Sequence, residues 1–289
     1  MDAIINITIN GLATGMLIFL LAAGLTLIFG LMDVLNFAHG ALFLWGAYAG
    51  IWVFTQTDSY LLGVFAAVII GILLGYLLER YIILPVYGNH IRQIMITLGA
   101  MLVLGELVKV VWGPNVMIAN TPAILSGSWE FSGILIIKYR LFVIFVGLLV
   151  FLGLLFLLNR TKLGLVVRAG VMDKEMVQAL GINIRKVFLG VFILGAAMAG
   201  LAGILLGPYT GVVYAEMGLE FGLLAFIVVI IGGMGSVVGS AVAALLVGIL
   251  GSFASYYLPD ISLAVNMLLM LIVLIFKPSG LMGTKEAVK

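Results

Sequence analysis

Cysteine is absent from the 289 residues, so disulfides and thiolate metal sites are excluded. Charge is scarce as well. Charged residues make up 9% of the chain, against roughly a quarter in a soluble domain, and no water-facing surface can be built from so few. The strict apolar–polar alternation of a membrane β-barrel strand is missing. No phosphate loop of the form G-x-x-x-x-G-K-[ST] occurs, so the chain cannot be its own ATP-driven motor. Gly233-Met234-Gly235 superficially resembles a dinucleotide glycine motif, but no βαβ unit can surround it in so apolar a setting. The opening MDAIINITING has no Lys or Arg before its apolar run and no small-residue cleavage site, which argues against a cleavable signal peptide. No cofactor, metal, catalytic constellation or nucleic-acid partner is called for.

What the chain has in abundance is apolar sequence: 64% of residues, with a mean hydropathy of +1.33. The apolar runs fall at about 4–30, 38–54, 61–78, 94–112, 141–158, 188–208, 221–250 and 261–276. Runs of this length are membrane helices, and 37 glycines suit close helix–helix approach in lipid. The expected fold is all-α and polytopic, with about 8–10 membrane segments, some of them glycine-broken or re-entrant. Residues 1–289 read as one transmembrane domain. Lys and Arg mark cytoplasmic loops. Arg80 and Arg92 lie in one loop, six basic residues in the stretch 159–187, and Lys277, Lys285 and Lys289 in the tail, so the C-terminus is expected inside.

Two runs carry interruptions. The first is broken by Asp33, Asn36, His39 and Gly40, which places a hairpin turn at about 31–39 with Asp33 at the cytoplasmic interface. The second, 221–250, has both flanks on the outer side and must double back, turning at Gly232-Gly233-Met234-Gly235-Ser236. Gly-broken hydrophobic segments in corresponding halves point to a transport site near the midplane. A faint likeness between Gly11–Phe19 and Gly218–Phe226 hints at such a repeat. Asn36 and His39 therefore either line a solute path or satisfy backbone groups freed at the break, and the glycine turn Gly232, Gly233, Gly235 and Ser236 shares that candidacy. Glu106 and Lys109, spaced i, i+3, can neutralise each other. Lys138 and Arg140 sit on the outer side against the charge trend. They either dock carboxylates of an external protein or snorkel at a helix start.

The charged stretch 159–187 cannot enter a bilayer. Asp173 is placed to cap a helix and Gly181 to end it, and Leu165, Ala169, Met172, Met176 and Ala179 form one apolar stripe at helical spacing. Such a segment is either a surface helix resting on headgroups or a docking element for a cytoplasmic subunit.

The pattern Gly164-Leu165-x-x-Arg168-Ala169-x-x-x-Asp173-x-x-x-x-x-Ala179-Leu180-Gly181-Ile182 resembles the coupling segment of LivH-type permeases of branched-chain amino acid ABC importers. Gly24-Leu25-Thr26-Leu27-Ile28-Phe29-Gly30, Asn36-Phe37-Ala38-His39-Gly40, Gly46-Ala47-Tyr48, Leu201-Ala202-Gly203, Gly232 to Gly239 and Lys277-Pro278-Ser279-Gly280-Leu281-Met282-Gly283 follow in family order, with Lys277 where the family often has Arg. The resemblance implies a multi-pass permease subunit of a bacterial or archaeal cytoplasmic (inner) membrane that translocates branched-chain or related hydrophobic amino acids. It implies two cytoplasmic ATPase subunits, a second related permease and an extracytoplasmic substrate-binding protein as partners. ATPase coupling would rest on Gly164, Arg168, Ala169, Asp173, Ala179, Gly181 and Ile182. The alternatives are an ABC permease for urea or short-chain amides, and a self-sufficient secondary transporter using Glu106, Lys109 or His39.

Overall fold

The computed structural model describes residues 2–131 and 134–283. Eleven α-helices dominate: α1 (Asp2–Met32), α2 (His39–Thr57), α3 (Tyr60–Leu77), α4 (His90–Trp112), α5 (Lys138–Arg160), α6 (Lys162–Met172), α7 (Lys174–Ala179), α8 (Ile184–Thr210), α9 (Met217–Gly232), α10 (Val237–Tyr257) and α11 (Ser262–Phe276). Six of the long helices are apolar enough to cross a membrane. The starts of α3, α4, α6, α7, α8 and α10 are capped by Ser59, Asn89, Thr161, Asp173, Asn183 and Ser236, whose side-chain oxygens accept first-turn N–H groups. The helices α2 and α9 have no such side-chain cap.

α5 and α11 lack such a cap too, but α2 and α9 are unusual in where they begin. α1 ends at Asp33, which adopts a left-handed backbone (φ 56°), and residues 34–38 turn back without helical structure. His39 Nε2 then lies 3.1 Å from the carbonyl of Leu21. Leu21 is eleven residues before Met32, so α2 starts about 16 Å back along α1 from its C-terminal end. α8 does the same in the opposite sense. It ends at Gly211 (φ 81°), returns through residues 212–216, and α9 starts at depth with Gly218 against the backbone of Gly40 and the side chain of Leu44.

The third helices obey the same rule. Asp58 (φ 53°) and Ser59 precede α3, while Gly235 (φ 84°) and Ser236 precede α10. α1 and α8 run antiparallel, with Gly24 packed on Gly195 and Thr14 Oγ1 2.7 Å from the Tyr209 hydroxyl. The molecule is thus an inverted repeat of α1–α2–α3 and α8–α9–α10, and its pseudo-twofold axis passes where Gly40 meets Gly218 and Phe43 meets Phe221. The equivalence joins Asp33 with Gly211. The Gly11–Phe19 and Gly218–Phe226 likeness falls on α1 and α9, which are not equivalent helices, so it is not the repeat.

Packing follows from this plan. α1 and α8 are the central pair, with 83% and 67% of their apolar windows buried, whereas α4 and α5, at 17% each, form the rim. Glycine and alanine let the backbones close in: Gly46 on Gly200, Gly71 on Ala196, and Gly248 on Gly11 and Gly15. In lipid this close approach substitutes for the hydrophobic driving force that water would supply. The run 221–250 is two antiparallel helices as expected. Their glycine turn is clasped by the tail, where Leu281 N–H donates to Ile231 O at 2.7 Å and Met282 N–H to Gly232 O at 2.9 Å. Two short antiparallel ladders cover the end of the bundle opposite Asp33: β1 (Met117–Ile118) with β4 (Val212–Val213), and β2 (Ser128–Phe131) with β3 (Ile134–Ile137).

Candidate functional site

The axis is where chemistry gathers. Asn36 and His39 are fully buried, at 0% and 2% exposure. Thr97 of α4 holds the non-helical return before α2: Phe37 N–H donates to Thr97 Oγ1 at 3.3 Å, and the same oxygen lies 3.3 Å from Leu35 O. That satisfies part of the backbone, as irregular segments at membrane depth require. Asn36 itself stays unsatisfied. Its Oδ1 and Nδ2, and His39 Nδ1, have no hydrogen-bond partner among the described residues. Beside them lies a cavity of about 50 Å³ walled by Leu25, Phe37, Leu98, Met101, Leu223 and Phe226, among others. In its wall the Phe37 and Phe226 rings stack on one another at 4.6 Å.

Above this cavity is a second one of about 180 Å³, and the two share Met101 and Leu219 in their walls. Its floor includes Ala41, Leu44 and Gly218. Its edge carries Glu106, Lys109 and Glu216. Lys109 Nζ is 2.9 Å from Glu106 Oε1 and 3.4 Å from Glu216 Oε1. The i, i+3 pair read from the sequence is therefore a triad that ties α4 to the start of α9. Glu106 and Glu216 keep 72% and 64% of their side-chain surface exposed. Carboxylates do not face lipid tails, so this edge belongs to water or to another protein.

The stretch 159–187 forms a helix pair at the end of the bundle where α1 ends. Thr161 caps α6, and Gly164 lets it fold tightly onto the carbonyls of Leu157 and Leu158. Arg168 Nη1 donates to Leu158 O and, at 3.0 Å, to Asn159 Oδ1, closing the end of α5. Asp173 caps α7 through Met176 N–H at 2.9 Å. Gly181 (φ 80°) ends α7 in a left-handed turn that brings Ile182 N–H to Val177 O. The expected apolar stripe is not the buried face. Val167, Gly170 and Val177 turn inward, with Gly170 against Leu31 at the end of α1. Leu165 and Met176 are exposed, as are Leu163 and Leu180, while Ala169 is half-buried, Ala179 is exposed and the Met172 side chain lies outside the described residues. The pair has to seat on α1 rather than on a flat membrane, and this rotates its contact face.

Other sequence candidates are placed apart. Gly232, Gly233, Gly235 and Ser236 sit level with the C-terminal end of α1, a Cβ on Gly30 being 2.6 Å from Gly235 Cα. Nine residues of α1 separate Gly30 from the level of His39, or about 13 Å. Lys138 and Arg140 begin α5 with their charges over the rings of Trp129 and Tyr209, at 5.8 and 5.9 Å. Lys285 and Lys289 lie outside the described residues. Sequence reading missed Thr97 and Gln93, two buried polar residues on the N-terminal half of α4. For Thr97 the signal was polarity inside an apolar run, whereas Gln93 stands just before that run and looks like part of the loop. Among the described residues no group of three His, Asp or Glu could hold a metal.

A many-helix membrane protein built on an inverted repeat, with two helices broken at the midplane, is the architecture of a transport permease. The family model described as "Branched-chain amino acid transport system / permease component" matches residues 7–276, and the chain belongs to that family. It is 30% identical to the high-affinity branched-chain amino acid transport system permease protein BraD of Pseudomonas aeruginosa, over 97% of this chain and 96% of that protein. It is 29% identical to LivH of Escherichia coli K12, over 97% and 96%. LivM of the same organism, also named a permease protein of that system, is 29% identical over 76% of this chain and 57% of its own length. No solved structure matches the chain.

Proposed function

We propose that this chain is a membrane-spanning permease subunit of an ATP-binding cassette importer, carrying branched-chain or related hydrophobic amino acids. It works in a cytoplasmic membrane with its C-terminus inside. Its partners are a second related permease, two ATPase subunits on the cytoplasmic face and a substrate-binding protein outside. The family match across residues 7–276 supports the class. Orientation is supported by the clustering of Arg92, the helix pair α6–α7 and Lys277 at the same end of the bundle as Asp33, where His90 lies 3.5 Å from its carboxylate. The solute path runs from the Glu106–Lys109–Glu216 edge to Asn36 and His39, with the Gly232–Ser236 turn as part of its inner closure. Lys138 and Arg140 contribute to the rim that meets the binding protein.

One observation carries the coupling role. α6 and α7 turn Leu163, Leu165, Met176 and Leu180 outward with Arg168, Asp173 and Glu175 among them, while Gly170 bears directly on Leu31. An exposed apolar patch rimmed by charge marks a protein-binding surface, and here it rests on the helix whose broken continuation holds Asn36. Closure of an ATPase against Gly164, Arg168, Ala169, Asp173, Ala179, Gly181 and Ile182 would press on α1 and bias the packing around the axis. Such bias equals the difference in ATPase affinity for the two packings. The test is Arg168→Ala and Asp173→Ala in the whole complex, in proteoliposomes. ATP hydrolysis should persist while uptake falls by about tenfold. Normal uptake in both variants would remove the coupling assignment.

A further inference from the structure

Where α5 ends and α8 begins, α6 folds between them and leaves a cleft of about 390 Å³. Its walls are Leu157 of α5, Leu163 and Val167 of α6, and Val187, Val191 and Leu194 of α8, and Lys186 is the one polar residue among those lining it. Gly190 keeps it open, since a Cβ there would meet nothing within 4 Å. Eight residues of α8 separate Lys186 from Leu194, so the cleft runs about 12 Å along that helix from its start. Apolar walls favour an apolar guest over water, and an empty slot loses the dispersion contacts of its lining. The surroundings supply hydrocarbon chains, because α5 and α8 are both long and apolar enough to cross a membrane. The rim adds charge. Arg160 ends α5, Lys162 opens α6, and Arg185 and Lys186 lie in the first turn of α8. All four are exposed, and none makes an ion pair among the described residues. No Asp or Glu occurs in α5, α6 or α8, so these helices offer the four cations no counter-ion of their own. Arg168 differs, its guanidinium being taken up by Leu158 O and Asn159 Oδ1. Cations at a membrane edge are common, but unpaired cations over an open apolar slot define a ligand in two parts: an anion above and an alkyl chain below.

We infer that the cleft between α5, α6 and α8 binds an anionic phospholipid. One acyl chain lies along α8 from Val187 to Leu194, and the phosphate is held by Lys186 together with Arg160, Lys162 and Arg185. The Lys186 stem follows the apolar wall while its ammonium group reaches the phosphate. Each cation at headgroup level favours an anionic lipid over a zwitterionic one. A protein segment fits less well, because the slot is sunk between two membrane-crossing helices rather than raised on the outward face of α6–α7. Val167 lines the slot, and Gly170, one turn further along α6, bears on Leu31. The lipid is thus part of the seat from which α6 touches α1. The site does not depend on what the chain transports.

The test places the assembled membrane complex in nanodiscs of phosphatidylcholine containing a trace of phosphatidylglycerol with a photoactivatable diazirine in its acyl chain. After illumination the modified residues are mapped by mass spectrometry. Modification should fall on Leu157 and on the stretch Val187–Leu194. A phosphatidylcholine probe with the same acyl chains should need about tenfold higher content for the same yield there. Lys162→Gln combined with Lys186→Gln should bring the two probes to equal yield. Gly190→Phe, which fills the slot without meeting backbone, should remove modification of Val187–Leu194 by either probe. Equal yields from the two probes on the unaltered chain, or no modification of these residues, would overturn the inference. Modification that appears only after the ATPase subunits are stripped away would overturn it as well, since a protein would then hold the mouth of the cleft. The comparison of the two probes on the unaltered chain decides the matter even if the variants do not assemble.

Discussion

The two return segments, 34–38 and 212–216, have the same length and the same left-handed entry, yet they are built for different surroundings. In the first, Val34, Asn36 and Ala38 are completely buried, and α4 supplies Thr97 to bind its backbone. The second is half-exposed and ends in the exposed Glu216. Its backbone is held from outside, by β1 and by Ala119 N–H donating to Gly211 O at 2.9 Å. Inverted symmetry in the backbone has therefore not been carried into the side chains. The 212–216 arm leaves the edge of the 180 Å³ cavity exposed, while the 34–38 arm is sealed around polar atoms. A transporter that alternates access needs this inequality in any one state, and the repeat supplies two backbones able to exchange roles.

The sharpest way to break the comparison is at the axis. A Cβ on Gly40 would run into the carbonyl oxygen of Gly218, which is backbone and cannot rotate away. A Cβ on Gly218 meets Gly40 O at 3.1 Å and the Leu44 side chain at 3.2 Å, contacts that a small shift relieves. Gly40→Ala is expected to lower stability by about 1–3 kcal/mol and to abolish uptake by the reconstituted complex. Gly218→Ala should retain most of its uptake. Equal damage from the two would mean that the axis is symmetric in tolerance and that the asymmetry above is confined to the rims.

A smaller effect is expected at the threonines that serve the two breaks. Thr97→Val leaves the half-buried Phe37 N–H without its acceptor, a loss of about 1 kcal/mol, read as a lower thermal midpoint of the purified chain. Thr210, whose hydroxyl donates to Val212 O at 2.8 Å, is exposed, and water replaces it, so Thr210→Val should shift the midpoint little. If both substitutions cost the same, the inner segment is not sealed. These residues also show where the sequence stops being readable. The first break was legible because Asp33, Asn36 and His39 interrupt an apolar run, and the hairpin at Gly232–Ser236 because both its flanks lack basic residues. The return at 212–216 was not, because Gly211, Tyr214 and Glu216 look like those of any surface loop. The contacts of Gly218 with Gly40 and Leu44 show that the chain dips inward. The link from Lys109 to Glu216 was hidden for a related reason: helical spacing gives Glu106 as a partner, and no local rule reaches a residue on another helix. The helix pair 162–179 was legible through Asp173 and Gly181, but its buried face was not, since that is chosen by the end of α1.

The least effect is expected from the triad, and it bears on the open arm alone. Lys109 joins two exposed carboxylates, and exposed pairs add little stability. Lys109→Met should therefore leave the thermal midpoint unchanged. What it should change is access. With α4 no longer tied to the start of α9, a cysteine introduced as Ala215→Cys should react faster with a water-soluble thiol reagent, by no more than about fivefold. Salt provides the control, because charges at a wet edge are screened within a Debye length, about 8 Å at physiological ionic strength and shorter above it. Raising the salt should speed labelling when Lys109 is present and do nothing to the Lys109→Met form. If labelling is indifferent to both, the triad does not restrain the arm, and the openness of the outer side comes from the exposed backbone of 212–216 itself.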